Sequence, residues 1–315
     1  MLMQPHNLEL KRHEVAAPGA EDVVVETHFT GISSGTERLL WSGRMPPFPG
    51  LAYPLILGYE TAGKVVEAGA DSGHSVGDWV FVPGANCFPG VSALFGGAAS
   101  HLVSAGSRIR KLPSALGEQS ILLALAATAQ HVIGTDPEKA PELIIGHGVF
   151  GRLLARISLA IGAPAPTVWE LNQSRMHAGD FGGRYNVVTP ADDPRKDYKR
   201  ICDASGNAGV LDDLIGRLAR DGEIVLAGFY DQRLSFSFPP AFMREARLRV
   251  VAEWTPEDLD NITSLIESDA LNLDDLISHR APITEAPRAF EQAFTDPDCL
   301  KMVIDWREGA TETKQ

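Results

Sequence analysis

The spacing of apolar residues along the chain changes character twice. Residues 22–32, DVVVETHFTGI, are rich in β-branched side chains and predict a strand. YPLILGYETAGKVVEAG (53–69) is apolar and punctuated by glycine, as short strands joined by tight turns would be. VGDWVFVPG (76–84) reads as turn, strand, turn. The chain up to residue 117 is therefore expected to be mostly β, a barrel-like or rolled sheet. GEQSILLALAATAQHVIG then places its apolar residues at helical spacing. From residue 142 the pattern alternates: ELIIGHG strand, VFGRLLARISLAIGA helix, TVWELN strand, RICDASG strand, AGVLDDLIGRLARDG helix, EIVLAGF strand. Such alternation predicts a parallel sheet with helices on both faces. From about 258 two helix-like segments, DLDNITSLIESDAL and APRAFEQAF, precede a last strand, KMVIDW (301–306), and the polar tail REGATETKQ. Three segments follow: 1–117, an inserted 118–257, and a return over 258–315.

Composition narrows the functional classes. A length of 315 residues is comfortable for two domains, and 44% hydrophobic residues can fill two cores. The net charge of −13 repels nucleic acid, and no run of Lys and Arg offsets it. FMREARLRV (242–250), the densest basic patch, mixes in apolar residues and reads as a strand edge or helix flank. The N-terminal residues hold no signal-peptide-like apolar run, and ILLALAATAQHVIG is too short to span a bilayer. Cys87, Cys202 and Cys299 lie far apart with no CxxC pair, which argues against a disulfide framework or a Cys-rich zinc lobe. A cytoplasmic protein without nucleic-acid partners is expected.

The strongest motif is IIGHGVFG, with Gly146, Gly148 and Gly151 in a G-x-G-x-x-G pattern and Val149 and Phe150 between the last two. It follows an apolar strand and opens an amphipathic helix, the context in which the pattern means a dinucleotide site. Gly146 permits the tight turn, Gly148 lets backbone approach a pyrophosphate, and Gly151 lets the helix pack on the strand. Glu170, 19 residues after Gly151, ends the next strand, where a carboxylate accepts from ribose hydroxyls and repels a 2′-phosphate. NAD is thus expected over NADP, with Arg175 as the nearby residue that complicates the choice. Ser205 and Gly228 end later strands and are secondary cofactor candidates.

GISSGTE, LGYETAGKVVEAG, VGDWV, TAQHVI, IIGHGVFG, CDASGNAGVLD and ISHRAPITEAPRAF, in this order and spacing, resemble the medium-chain dehydrogenase/reductase superfamily of alcohol dehydrogenase type. The resemblance implies an α/β protein: a GroES-like β-rich catalytic domain made from both chain ends, with an inserted Rossmann domain of doubly wound parallel sheet. It also implies a homodimer or larger assembly, and adds Thr128, in TAQHVI, to the cofactor candidates. Zinc members carry Cys, His and an acidic residue or Cys where this chain has Ser34, Tyr59 and, by spacing, Ala124. No thiolate or imidazole is left to hold zinc. Within the superfamily, the length, GISSGTERLLWSGRMP and the missing ligands are similar to members that oxidise the hydroxyethyl group of a bacteriochlorophyllide, a tetrapyrrole, in bacteriochlorophyll biosynthesis.

Oxidation without zinc still needs a proton acceptor. Tyr59 and Ser34 stand in the vacated positions, with Glu60, Thr36 and His131 as further relay candidates. Tyr59, whose ordinary pKa is about 10, would need a perturbing neighbour. Two readings stand side by side: a relay, or side chains that fill the space left by a metal. His101 is assigned to packing. In LLWSGRMPPFPGLAYP (39–54), Trp41 and Phe48 could line a surface for a flat macrocycle and Arg44 could meet a propionate, or the loop could simply pack. The alternatives are a zinc-free quinone or enone reductase, which would prefer NADPH, and a non-catalytic dinucleotide-binding scaffold.

Overall fold

A computed structural model describes residues 1–47, 49–92, 94–177 and 182–307. The chain divides into two compact units, Met1–Ala124 with Ile277–Gln315, and Leu125–Leu276.

After a short antiparallel pair of strands at Leu2–Gln4 and Asn7–Leu8, the main sheet of the first unit opens with β1 (Asp22–Ile32), whose burial alternates along most of its length, followed by helix α1 (Thr36–Ser42). Strands β2 (Thr61–Ala68), β3 (Trp79–Val82), β4 (His101–Ala105) and β5 (Arg110–Lys111) complete its N-terminal part. Helix α2 (Leu123–Ile133) opens the second unit, which continues with β6 (Leu143–Ile145), α3 (Val149–Ala160), β7 (Thr167–Trp169) and α4 (Gln173–His177). β8 (Asn186–Val188), β9 (Tyr198–Asp203), α5 (Leu211–Arg217), β10 (Leu218–Leu226), α6 (Phe238–Arg244), β11 (Arg247–Val250) and α7 (Pro256–Glu267) follow. The return supplies β12 (His279–Pro282), α8 (Ala286–Thr295) and β13 (Met302–Asp305).

In the first unit the sheet order is β12-β13-β1-β2-β3-β5, with β4 also paired to β1. The two chain ends meet in register: Met302 faces Ile32, and Val303 faces Gly31. Two apolar clusters fill this unit, one including Leu40, Leu55, Phe290 and Met302, the other Val23, Val65, Val80 and Leu102.

The second unit holds a wholly parallel sheet of order β8-β7-β6-β9-β10-β11. Its order reverses between β6 and β9, and ligands of such sheets bind beyond the strand C-termini at that reversal. Leu143, Ile145, Trp169, Ile201, Leu214 and Ile224 are among its core residues.

Two expectations shift. Helix α7 lies in the second unit, so the return begins at Ile277 rather than 258. The helix expected to run to Gly222 ends at Arg217. Leu218 is buried and starts β10, so tertiary pairing with β9 overrides the helical spacing.

Candidate active site

In the second unit the glycine motif sits at the C-terminus of β6. Gly146 takes φ +95°, and a Cβ on Gly151 would run into the Gly146 carbonyl, so both positions need glycine. Val149 and Phe150 begin α3, with Gly148 at its N-cap. Glu170 stands just past β7. Its Oε2 accepts from the His147 amide at 2.9 Å, and its Oε1 accepts from the amides of Leu171 and Asn172 at 2.7 and 2.8 Å. A carboxylate offers about four acceptor positions, so room remains for a ribose hydroxyl.

His147 is fully buried and ties this loop to the next. Its Nδ1 lies 2.7 Å from the Arg175 carbonyl and its Nε2 lies 2.9 Å from the Tyr185 hydroxyl. A carbonyl only accepts, so Nδ1 carries the proton and Nε2 accepts from Tyr185. Burial, with the Arg152 guanidinium nearby, pulls the imidazole down to about 4, so it is neutral. Buried Arg152 donates to the carbonyls of His147 and Arg175. The Arg175 guanidinium itself comes within 3.9 Å of where a Cβ on Gly148 would lie.

The secondary candidates gather at the same sheet edge. Ser205 donates through its amide and hydroxyl to Asp203 Oδ1, at 2.8 and 2.6 Å. Gly228 packs so closely on Gly206 that a Cβ there would lie 2.6 Å from the Gly206 nitrogen. The Cα of Ser205 lies 3.6 Å from where a Cβ on Gly146 would be. Thr128 lies half-buried on α2. These residues fit a dinucleotide: a glycine crevice at the strand reversal, a helix N-terminus, and a carboxylate beyond the second strand.

In the first unit, the Tyr59 hydroxyl donates to Ser33 Oγ at 2.6 Å, with the Thr36 hydroxyl as a second partner. Ser34, the expected partner, is instead exposed, because the turn into α1 directs its neighbour Ser33 inward. Phe95 packs on Tyr59 at 4.9 Å between ring centroids. Burial, reinforced by the charges of Glu60 and Glu37, pushes the Tyr59 phenol up, away from the perturbation a phenolate base would need. Tyr59 is therefore a donor at neutral pH.

Glu37 is buried, and its two oxygens accept from the amides of Ser33 and Gly58, both at 2.8 Å. It thereby joins the loop before α1 to the loop before β2. Burial pushes its carboxyl up to about 7. Glu60 pairs with Lys301, each side chain 1% exposed. Strand β1 lies between β13 and β2, so the two residues reach over Gly31 from opposite sides. A Cβ on Gly31 would collide with Glu60 Oε2 and press on Lys301 Cε. Burial raises the Glu60 carboxyl and Lys301 counters it.

Trp41 packs edge-on to His6 and against Phe294, at 4.1 and 5.5 Å between ring centroids, beside an apolar core. Arg44 is exposed, and Phe48 lies outside the described residues. His131 bonds Asp258, which also caps α7, at 2.8 Å within the second unit. His101 is exposed at the start of β4. Ala124, the third zinc-family position, is buried and apolar. Among the described residues no group of three or more His, Cys, Asp and Glu side chains is placed to hold a metal ion. Reading the sequence missed Ser33, Glu37 as a participant, Phe95 and Lys301. The only sequence signal for Lys301 is a lysine opening an apolar strand.

Residues 19–114 match the alcohol dehydrogenase GroES-like domain model. The chain belongs to the medium-chain dehydrogenase/reductase family, of alcohol dehydrogenase type, and is a dehydrogenase. Its likeness is also narrower than that. It is 54% identical over 292 residues to the 2-desacetyl-2-hydroxyethyl bacteriochlorophyllide A dehydrogenase of Rhodobacter capsulatus, covering 92% of each chain. It is 50% identical over 315 residues to the enzyme of the same name from Cereibacter sphaeroides, covering 98% of each. Among solved structures, a short chain alcohol dehydrogenase from Escherichia coli CFT073 complexed with NADH shares the fold. Its TM-score is 0.82 at 18% identity, over 97% of this chain and 98% of that one.

Proposed function

We propose that the protein oxidises the 3-(1-hydroxyethyl) group of a bacteriochlorophyllide to 3-acetyl with NAD, without catalytic zinc, as a step of bacteriochlorophyll a biosynthesis. The observation that carries this reading is the identity of 54% and 50%, over nearly the whole chain, to two dehydrogenases named for that substrate. The nucleotide belongs to the crevice formed by Gly146, Gly148, Gly151 and the N-terminus of α3, with Glu170 at the ribose. Bound NAD supplies the hydride acceptor. Glu170 supports NAD over NADP, because a 2′-phosphate beside its carboxylate is repelled. Arg175, close to Gly148, favours the opposite choice, so both nucleotides belong in the assay.

The alcohol carbon gives up a hydride, and the hydroxyl gives up a proton to this chain. Ser34, Tyr59 and Ala124 supply no strong zinc ligand, so stabilisation must come from elsewhere. A carbinol attached to a conjugated macrocycle is benzylic in character, and the ring spreads the positive charge as hydride leaves. Tyr59, whose hydroxyl bonds Ser33 and Thr36, is our candidate for the group that exchanges the proton.

A cytoplasmic homodimer completes the proposal. Strand β11 is the outer strand of its sheet, and Val250 and Met243 are 76% and 70% exposed beside exposed Phe238 and Phe242. An unpaired edge flanked by apolar side chains suits two-fold pairing with a second copy. Light scattering should give twice the chain mass; a monomer at micromolar concentration removes this part. Among the described residues no helix is long and apolar enough to cross a membrane.

The decisive assay mixes chelator-treated protein, NAD and 3-hydroxyethyl bacteriochlorophyllide. A red shift of the long-wavelength band should accompany NADH formation, as the new carbonyl joins the conjugated system. Intact nucleotide binding with no shift would refute the substrate assignment and favour an enone reductase using NADPH. Rapid ethanol turnover would argue against the benzylic explanation.

A further inference from the structure

His147 stands between two glycines of the nucleotide crevice and is fully buried. Burial alone would favour an apolar side chain there, because an imidazole leaves water without cost only when its ring nitrogens are bonded. Two segments distant in sequence satisfy this ring. The hydroxyl of buried Tyr185 donates to Nε2 at 2.9 Å, and Nδ1–H donates to the Arg175 carbonyl at 2.7 Å. Buried Arg152, on α3, donates to that same carbonyl from Nη2 at 3.3 Å and to the His147 carbonyl from Nε at 3.2 Å. The main chain of α4 is thus pinned at Arg175, and the Arg175 guanidinium stands beside Gly148, where α3 begins. Glu170 is held from the same residue by another route, since its Oε2 accepts from the His147 amide at 2.9 Å. His147 therefore bonds both residues on which the choice of nucleotide turns. It holds Glu170, whose carboxylate repels a 2′-phosphate, through its main chain. It holds Arg175, whose guanidinium attracts one, through its ring.

We propose that His147, with Tyr185 fixing its tautomer, is a positioning residue for nucleotide selectivity: it keeps Arg175 at the diphosphate end of the crevice and away from a 2′-phosphate. This rests on the reading of the crevice as a dinucleotide site. Gly148 is the glycine past which main chain approaches the diphosphate, and NAD and NADP share that diphosphate. A guanidinium held there meets the diphosphate first. The pull of Arg175 towards NADP is thereby restrained, and the discrimination falls to Glu170. Tyr185 matters because its hydroxyl, by donating to Nε2, leaves the ring proton on Nδ1, the tautomer that can donate to the Arg175 carbonyl.

Calorimetric titration of the full chain with NAD and with NADP, each read as a Kd, tests this without the tetrapyrrole. His147→Leu keeps the main-chain bond to Glu170 and removes the ring bond to Arg175. It should tighten NADP relative to NAD about tenfold, the worth of one charge-assisted hydrogen bond. Adding Arg175→Leu to His147→Leu should bring the ratio of the two Kd values back to within about twofold of wild type, which a general loosening of the crevice would not do. His147→Asn, whose side-chain amide can donate in place of Nδ1–H, should keep the wild-type ratio. Tyr185→Phe should shift the ratio in the same direction as His147→Leu but by less, since the ring can still take the Nδ1–H tautomer part of the time. This variant carries the test if His147→Leu does not fold. An unshifted ratio in folded His147→Leu or in Tyr185→Phe overturns the proposal, as does a shift in His147→Leu that survives Arg175→Leu. Wild type that binds neither nucleotide would refute the dinucleotide reading itself.

Discussion

Each unit buries a polar cluster, and the two are built on opposite terms. Around His147 the partners are mostly backbone carbonyls and amides. Two loops are tied together, and the ring nitrogens are both satisfied. Around Glu60 the charged atoms meet only one another across a glycine. A satisfied network makes a rigid mould, suited to a ligand of fixed shape. A half-satisfied one leaves each buried charge dependent on a single partner.

The largest test of that contrast is the removal of one partner. Lys301→Met should cost about 3–5 kcal/mol in denaturant unfolding, because it strands a buried carboxylate, whereas the double variant with Glu60→Gln should recover most of it. A single-variant cost under about 1 kcal/mol would mean that water reaches the pair and that the clusters differ less than described.

The next test is pH. His147 is held near 4 when folded and titrates near 6.5 when unfolded, so its contribution is complete above pH 6.5 and is lost as pH falls towards 4. Glu37 runs the other way. Its folded pKa of about 7 lies above the unfolded value near 4.5, so its contribution is full below pH 4.5 and is lost as pH rises through 7. Each swing amounts to about 3 kcal/mol. Calorimetry across this range should show His147→Asn flattening the acid side and Glu37→Gln flattening the other; the same pH sense for both would break the comparison.

Tyr59→Phe removes only a hydroxyl and keeps the ring against Phe95. It should lower kcat about 100-fold with little change in NAD affinity. A loss within twofold would return Tyr59 to the role of space filler. The smallest effect belongs to the mould. Glu170→Gln should narrow the preference for NAD over NADP by about tenfold, or about 1.4 kcal/mol, read from the ratio of kcat/KM values.

The second unit was the more legible in sequence because its ligand contacts are local. Gly146, Gly148, Gly151 and Glu170 fall within 25 residues, and each answers a backbone or charge requirement that one residue type meets. The first unit's cluster was legible only in outline. Replacement of zinc-family residues at Ser34 and Tyr59 could be read, but which of two adjacent serines faces inward depends on how the turn enters α1. Lys301 could not be found at all. It lies 241 positions from Glu60, and only the pairing of β13 with β1 brings them together. Helix α5 ended early for a similar reason, since spacing alone does not reveal when a buried leucine will pair with a strand.

The pairing of β13 with β1 also fixes an order of assembly. The second unit is contiguous, Leu125–Leu276, so it has all of its own sequence once residue 276 is clear of the ribosome. The first unit cannot close its central sheet until residues 302–305 arrive to meet 29–32. Closing so long a loop is slow, and domains fold in the order in which they emerge. During synthesis the second unit is therefore complete before Lys301 exists, and a ribosome stalled short of residue 301 holds a first unit in which Glu60 has no cation to meet.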